Sequence, residues 1–577
     1  MTPEQHRTSA TEEASDYDVI VLGSGAGGMT AAVVAASRGL QVLLIEKSPL
    51  IGGTTAISGG MAWIPANSKM KDAGLADTLD EARKYLERSV GGSSKALQAF
   101  IKNGDRAIRY LEEKSAVRFQ PVMRYPDYYP DLPGATLGGR VLEPVSFDGR
   151  LLGRHFPLLR PPLPEFTLFG GMMLDRRDIP HFRKAARSWR SALRVARLLA
   201  RHSKERLTHI RGTSLVLGNA LAARLLQSLL QCGVTLKLNT KVEALLVERK
   251  CVRGVSIKTS TGSRTIRAKY GVVLATGGIA HSARLRVRYL PPGVIASATS
   301  ASDTGDGISL AEALGAAIRE GAQGNGFWAP LSRFQRQDGT QAVYPHTVTD
   351  RSKPGLIAVT RRGKRFTNEA RSYHEFGRAM LHADIGNASN PAYLICDRDF
   401  LWKYGLGAIK PFTVFLHRHL DAGYLHRGAS IRELATEIGI DPDVLDSTMQ
   451  RYNHSARAGT DPEFGRGGDA YQRHLGDEDV TPNPCVRPIE RPPYYALAVH
   501  AGDLGTAAGL ATDPNGQVLS DAGTPIAGLY ACGNDMASVM DGAYPGPGIT
   551  LGPALTFGFL IGERLAALRE ITVAQKA

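Results

Sequence analysis

A chain of 577 residues, 43% hydrophobic and 22% charged, is long enough for two or more domains around a large core, with the composition of a globular protein. No apolar run approaches the roughly 20 residues of a membrane-spanning helix, and the five scattered cysteines (Cys232, Cys251, Cys396, Cys485, Cys532) lack metal-ligand or haem-attachment spacing, which argues against a disulfide framework and an attached haem. The formal charge of +15 is uneven, because residues 183–211 hold ten Lys and Arg against one acid, Glu205.

Residues 1–16 are polar and acidic, without the basic-then-apolar layout of a signal peptide. They read as a disordered leader on a cytoplasmic protein. The next stretch, DYDVIVLGSGAGGMTAAVVAASRGLQVLLIEK, carries the most information. Val19–Leu22 is a short apolar run ahead of a glycine turn, the pattern of a buried parallel strand. Gly23, Gly25 and Gly28 fit G-x-G-x-x-G, Met29 to Ala36 suit a helix packed on a sheet, and Val42–Ile45 is a second strand ending at Glu46. Such glycines bring a pyrophosphate close to a helix N-terminus, and such an acid accepts a hydrogen bond from a ribose hydroxyl.

EKSPLIGGTTAISGGMAWIP then supplies Gly52, Gly53, Thr54, Thr55, Ser58 and Gly59, small residues able to line a long, extended cofactor. Residues 181–211 read as a basic amphipathic helix, with Phe182, Trp189, Leu193 and Leu199 on one side. Two readings stay open for it: a membrane-surface contact, or a solvated helix covering the body. Nucleic acid is not expected, because the charge is local and no nucleic-acid motif accompanies it. Further on, YGVVLATGGI runs a strand into Ala275, Thr276, Gly277 and Gly278; DTGDGISLAEALGA gives a Gly-Asp-Gly turn and a helix; and GTPIAGLYACGND runs another strand into Gly533. Three distant returns to one cofactor, with no second G-x-G-x-x-G unit, point to FAD rather than NAD(P).

With these segments the chain resembles the flavoprotein superfamily of fumarate reductase and succinate dehydrogenase, and more narrowly the 3-ketosteroid Δ1-dehydrogenase family. The likeness runs from about Tyr17 to Arg564, weakest over 150–210, and rests on GSGAGG, EKSPLIGGTTAISGGMAWIP, YPDYYPD, GKRFTNEARSYHEFGRAM, GDLGTAAGLATD and YPGPGITLGPALTFG. It implies an α/β fold: a Rossmann-like FAD-binding domain (17–326 and 491–577, with a basic helical insert near 150–211) interrupted by a smaller catalytic domain, 327–490. It implies FAD contacts from Gly23, Gly25, Ala26, Gly27, Gly28, Glu46, Lys47, Gly53, Thr54, Thr55, Ser58, Gly59, Gly60, Val242, Ala275, Thr276, Gly277, Gly305, Asp306, Gly533, Asn534, Gly548, Thr550 and Leu551. No His stands between Glu46 and Asn67, so the flavin is expected to be non-covalent.

Within the superfamily, dicarboxylate enzymes carry two Arg and a His at positions that are here Tyr373, Thr550 and Gly505. The chain departs from the acid-binding branch at all three and matches the ketone-dehydrogenating branch. That branch must remove a proton alpha to a carbonyl and a hydride from the adjacent carbon, and the developing enolate oxygen needs donors aimed at it. The resemblance assigns the base to Tyr373 and its helper to Tyr128, with Tyr125 and Tyr129 open as alternatives. Tyr544 and the Gly548 N–H become the donors to the ketone oxygen, and Pro545 and Pro547 stiffen their turn. A phenol ionises at about pH 10, so a base near pH 7 needs about 4 kcal/mol of help. Met61, Trp63, Phe327, Trp328, Phe412 and Phe415 are candidates for the wall of an apolar pocket, or simply for core. A fused-ring ketone substrate and a quinone acceptor complete the expectation; a smaller cyclohexanone-type ketone would use the same four groups.

Overall fold

The computed structural model describes residues 16–185, 187–259, 262–383 and 391–574; the expected leader lies outside them, apart from residue 16. Strand β1 (Asp16–Leu22) leads through the glycine turn into helix α1 (Ala26–Ser37) and then strand β2 (Val42–Ile45), which pairs in parallel with β1. Gly23 has φ +101° and a Cβ there would meet the Ala275 carbonyl oxygen at 2.2 Å, so only glycine lets the turn form. α1 is buried along nearly its whole length because its side chains are small.

Helix α2 (Leu79–Val90) follows, buried through Ala82, Tyr85 and Leu86. The basic segment is not one helix. Ile179–Lys184 forms one short piece and α3 (Trp189–Arg206) another, with Ser188 accepting a hydrogen bond from the Ser191 N–H at the break. A serine that can cap a new helix competes with continuing the old one. Glu205 turns inward onto Thr213 and Ser214, while Trp189 (72%), Leu207 (84%) and Ile210 (81%) stay exposed.

Strand β3 (Gly262–Leu274) then pairs in parallel with β1 on the side away from β2. The chain leaves this sheet for a second one. Strand β4 (Gly326–Gln335) opens it, helix α4 (Tyr373–Ala383) packs on β4, and strand β5 (Tyr494–Thr506) pairs antiparallel with both β4 and the strand Ala392–Asp397. β5 lies beyond residue 490, so the second sheet extends further along the chain than the expected boundary. Its alternating apolar pattern announces a strand but not which sheet it joins. Strand β6 (Pro525–Ala531) returns beside β3 in the first sheet, and helix α5 (Leu551–Ala574) closes the chain. Over Leu551–Thr572, α5 is long and apolar enough to cross a membrane, which the sequence reading did not register. Yet 61% of that apolar window is buried, and the helix packs against α1 and the helix Lys95–Lys114, which makes it a core element.

Candidate active site

The carboxyl ends of β1, β2, β3 and β6 converge, and the loops after them build a long cradle. Glu46, at the end of β2, accepts hydrogen bonds from the Ser24 N–H (3.0 Å), the Ser24 hydroxyl (2.7 Å) and the Ser48 N–H (2.9 Å). Four lone-pair sites on a carboxylate leave room for a ribose hydroxyl. Thr55 Oγ1 accepts from the Ala26 N–H at 2.9 Å and so fixes the start of α1. The positions a Cβ would occupy on Gly25 and Gly53 meet nothing closer than 3.8 Å, and those on Gly59 and Gly533 meet nothing within 4 Å. Open glycines beside a helix N-terminus fit the pyrophosphate of FAD.

Other expected cofactor residues stand around this cradle. The Thr54 hydroxyl donates to Asp303 at 2.7 Å, Lys47 pairs with Asp306 at 2.5 Å, and Gly305 caps the helix that Asp306 begins. Ala275, Thr276 and Gly277 follow β3, where Thr276 and Gly278 donate to the buried Asp535. Ser58 and Gly60 lean on the backbone of Gly218, and a Cβ on Gly27 would come within 3.0 Å of Cys532 Sγ. Val242 begins a strand paired to Ile257 and is part-buried. At the far end a small cavity is lined by Gly533, Asn534 and Thr550 together with Phe327, Thr506 and Phe557; Leu551 begins α5 beside it. Sequence reasoning missed Asp303 and Asp535. Burial raises both carboxyls, Asp303 to about 8.

The tyrosines meet where the second sheet faces this cavity. Tyr373, first residue of α4, lies edge-on to Tyr544 (ring centroids 5.2 Å apart) and to Tyr128 (5.8 Å), while Tyr128 and Tyr544 stack at 5.7 Å. Phe327 closes on Tyr544 at 5.4 Å. The Tyr128 hydroxyl is buried and has no hydrogen-bond partner among the described residues. Burial pushes the Tyr373 phenol well above 10 and the neighbouring Tyr544 adds to this, while the Tyr128 hydroxyl works in the opposite direction. Burial likewise pushes Tyr544 up to about 12. Tyr129 instead donates to Glu375 at 2.9 Å, and Tyr125 packs on His474. Tyr471, which no motif flagged, lies tilted against Tyr128 with ring centroids 4.7 Å apart.

Gly548 sits at φ +98°, where a Cβ would strike the Met61 carbonyl oxygen at 2.4 Å. Its carbonyl accepts from the Trp63 N–H, and its own N–H has no acceptor among the described residues. The expected aromatic wall mostly dissolves. Trp63 is core and its ring N–H donates to Asp127; Trp328 packs with Leu290 and Val294; Phe412 and Phe415 are exposed, Phe412 against Trp402. Trp63 and Trp328 reflect core packing and Phe412 and Phe415 lie at the surface, which residue type alone does not separate from a pocket.

The family profile described as "FAD binding domain" matches residues 18–551. A 3-oxosteroid 1-dehydrogenase of Mycobacterium tuberculosis is 37% identical over 96% of this chain and 98% of its own. The chain belongs to this family. The cofactor is FAD and the protein is an oxidoreductase. A 4-oxocyclohex-2-ene-1-carboxylate 5-dehydrogenase of Sinomonas cyclohexanicum is 38% identical over 96% of this chain and 95% of its own. A crystal structure of the 3-ketosteroid Δ1-dehydrogenase from Sterolibacterium denitrificans, in complex with 1,4-androstadiene-3,17-dione, superposes with a TM-score of 0.89. It is 39% identical, covering 96% of this dehydrogenase and all of that chain.

Proposed function

We propose that this dehydrogenase introduces the C1–C2 double bond of a 3-ketosteroid. The observation that carries the reading is the meeting of Tyr373, Tyr128 and Tyr544 beside the unpartnered Gly548 N–H. The ketone oxygen takes the Tyr544 O–H and the Gly548 N–H, which stabilise the enolate charge as it forms. Tyr373, as phenolate, accepts the proton from C2, and the Tyr128 hydroxyl supports that phenolate. Bound FAD supplies the two-electron acceptor for the hydride that leaves C1. The C2–H electron pair becomes the new double bond, so a diene ketone remains.

A second reading, a smaller cyclic ketone bearing a carboxylate, draws on Arg176. Its guanidinium lies over the Tyr125 ring at 5.0 Å with Nη1 buried and unpartnered, the Glu143 carboxylate staying 3.9 Å away. Such a cation suits a carboxylate partner. For the electrons we infer a quinone as outlet. The exposed Trp189, Leu193, Leu207 and Ile210 among the cations of 183–211 support a peripheral contact with the inner face of an anionic membrane.

The experiment is an anaerobic mix of holoenzyme with three ketones. Bleaching of the flavin by 4-androstene-3,17-dione with formation of the 1,4-diene is the expected result. Bleaching only by 4-oxocyclohexanecarboxylate supports the second reading, bleaching only by 5α-reduced steroids a Δ4-(5α)-dehydrogenase, and no bleaching at all a flavoprotein without this turnover. Acid precipitation should leave the yellow colour in the supernatant, as a non-covalent flavin requires.

A further inference from the structure

Tyr128 sits on one loop and Tyr544 and Gly548 on another, beside Tyr373 at the start of α4, and the spacing of the two loops depends on a further element. The Pro545 carbonyl, directly after Tyr544, accepts two hydrogen bonds: the Tyr128 N–H at 2.9 Å and the Tyr85 hydroxyl at 2.5 Å. The same Tyr85 oxygen accepts the Tyr129 N–H at 3.4 Å. One phenol therefore holds the loop of Tyr128 with its acceptor and the turn of Tyr544 and Gly548 with its donor. Tyr85 is buried on α2, its ring packed on Trp63 and beneath the Arg140 guanidinium.

Arg140 continues the fixture. Its guanidinium is buried between Asp77 and Asp127, the residue before Tyr128. Asp127 also accepts the Trp63 ring N–H at 2.8 Å, and the Trp63 backbone N–H donates to the Gly548 carbonyl at 3.1 Å. Both loops are thus referenced to rigid elements, and two residues touch both: Trp63 from its strand and Tyr85 from α2.

We propose that Tyr85 is a positioning residue for the dehydrogenation, an inference that rests on the function given above. Its hydroxyl sets the separation between the loop of Tyr128 and the two oxyanion donors, without touching substrate. Burial, reinforced by the Asp127 charge, raises its pKa well above 10, so it keeps its proton and remains a donor. Tyr85→Phe keeps the packed ring and the Tyr128–Pro545 link, so the loops stay in contact while their angle loosens. A misplacement of about 1 Å can cost on the order of a hundredfold in rate.

The test uses the holoenzyme and a ketone that the wild type oxidises. In Tyr85→Phe, kcat and exchange of the α proton with deuterated solvent should both fall about 10- to 100-fold, with KM and bound FAD unchanged. Asp127→Asn, which loosens the same loop from its other side, should show the same signature more weakly. In the Tyr544→Phe background, the cost of Tyr85→Phe should shrink, because the group it aims is gone. A kcat within about twofold of wild type, a rate loss that merely follows lost flavin, or an undiminished cost in the Tyr544→Phe background would each overturn the proposal. An active wild type with an unaffected Tyr85→Phe sinks this inference alone; a wild type that exchanges no α proton sinks the functional reading and this inference with it.

Discussion

One short stretch, GKRFTNEARSY, serves two buried polar regions that follow opposite rules. Arg365 and Glu369 belong to the first. The Arg365 guanidinium gives two hydrogen bonds to Glu369 and two to Asp461, all between 2.7 and 2.9 Å, and lies between the rings of Tyr452 and Phe464. Glu369 also receives Arg466 at 3.2 Å. Tyr373, four residues later, opens the second, where the Tyr128 and Tyr471 hydroxyls are buried without partners. An unsatisfied buried hydroxyl costs about 1–3 kcal/mol. Every nitrogen of the Arg365 guanidinium is bonded, although the Nε of the neighbouring Arg466 is buried without a partner among the described residues; around Tyr373 the hydroxyls themselves are left open, as the proposed arrival of a substrate oxygen and a proton requires.

The two regions should break differently. Tyr373→Phe should cut turnover by two to four powers of ten, about 3–5 kcal/mol, abolish α-proton exchange and leave melting and flavin content nearly unchanged. Arg365→Leu takes the bidentate partner from the buried Asp461 and leaves Glu369 to Arg466 and the Ala358 N–H, and should destabilise by about 3–5 kcal/mol, with activity per folded molecule retained. Parallel melting curves and rates read both. A Tyr373→Phe enzyme that exchanges the proton at wild-type rate removes Tyr373 from the mechanism. Tyr544→Phe comes next: one of two oxyanion donors is lost while Gly548 remains, for about 3–4 kcal/mol and two to three powers of ten in kcat.

A pH profile sharpens the contrast without mutation. In the proposed mechanism Tyr373 acts ionised, and burial with the adjacent Tyr544 holds its pKa well above 10. Its ionised fraction therefore grows about tenfold per pH unit, so kcat/KM should climb with unit slope and reach no plateau below about pH 10. The linkage runs with the same group. Because the folded pKa exceeds that of a free phenol, its contribution to stability is intact below about pH 10 and is lost as pH rises from there toward the folded value. A plateau near neutrality would mean a different base.

The first sheet and its glycine turn were largely legible in the sequence because their signals are local. G-x-G-x-x-G, the two apolar strands and Glu46 fall within about thirty residues of chain, and the glycines mark turns that only glycine can make. The meeting of Tyr128, Tyr373 and Tyr544 was legible only through motifs, since a phenol carries no periodicity. What escaped detection is non-local: β5 joining the second sheet, Asp535 reaching back to Thr276 and Gly278, Tyr471 against Tyr128, and Tyr85 tied to Pro545. Each is fixed by packing between segments hundreds of residues apart or by a lone side chain on an ordinary amphipathic helix. The basic segment misled for the opposite reason: its helical pattern continues across Ser188, where the capping side chain starts a new helix.

The smallest effect separates the two regions most cleanly, because its sign differs between stability and rate. Tyr128→Phe deletes a hydroxyl that is buried and unpartnered, so the free protein should melt no lower than wild type and gain up to about 1 kcal/mol as the desolvation cost is relieved. In catalysis the same hydroxyl favours the Tyr373 phenolate, so its loss raises the pKa of Tyr373 further. At fixed pH the ionised fraction falls, and the rising limb of kcat/KM moves to higher pH while keeping its unit slope. A shift of one pH unit would be about 1.4 kcal/mol, or tenfold in rate. Melting temperature and pH profile measured on one preparation decide the matter. A Tyr128→Phe protein that melts lower and keeps the wild-type profile would show that the hydroxyl serves packing, and would return Tyr128 to the saturated kind of region that Arg365 represents.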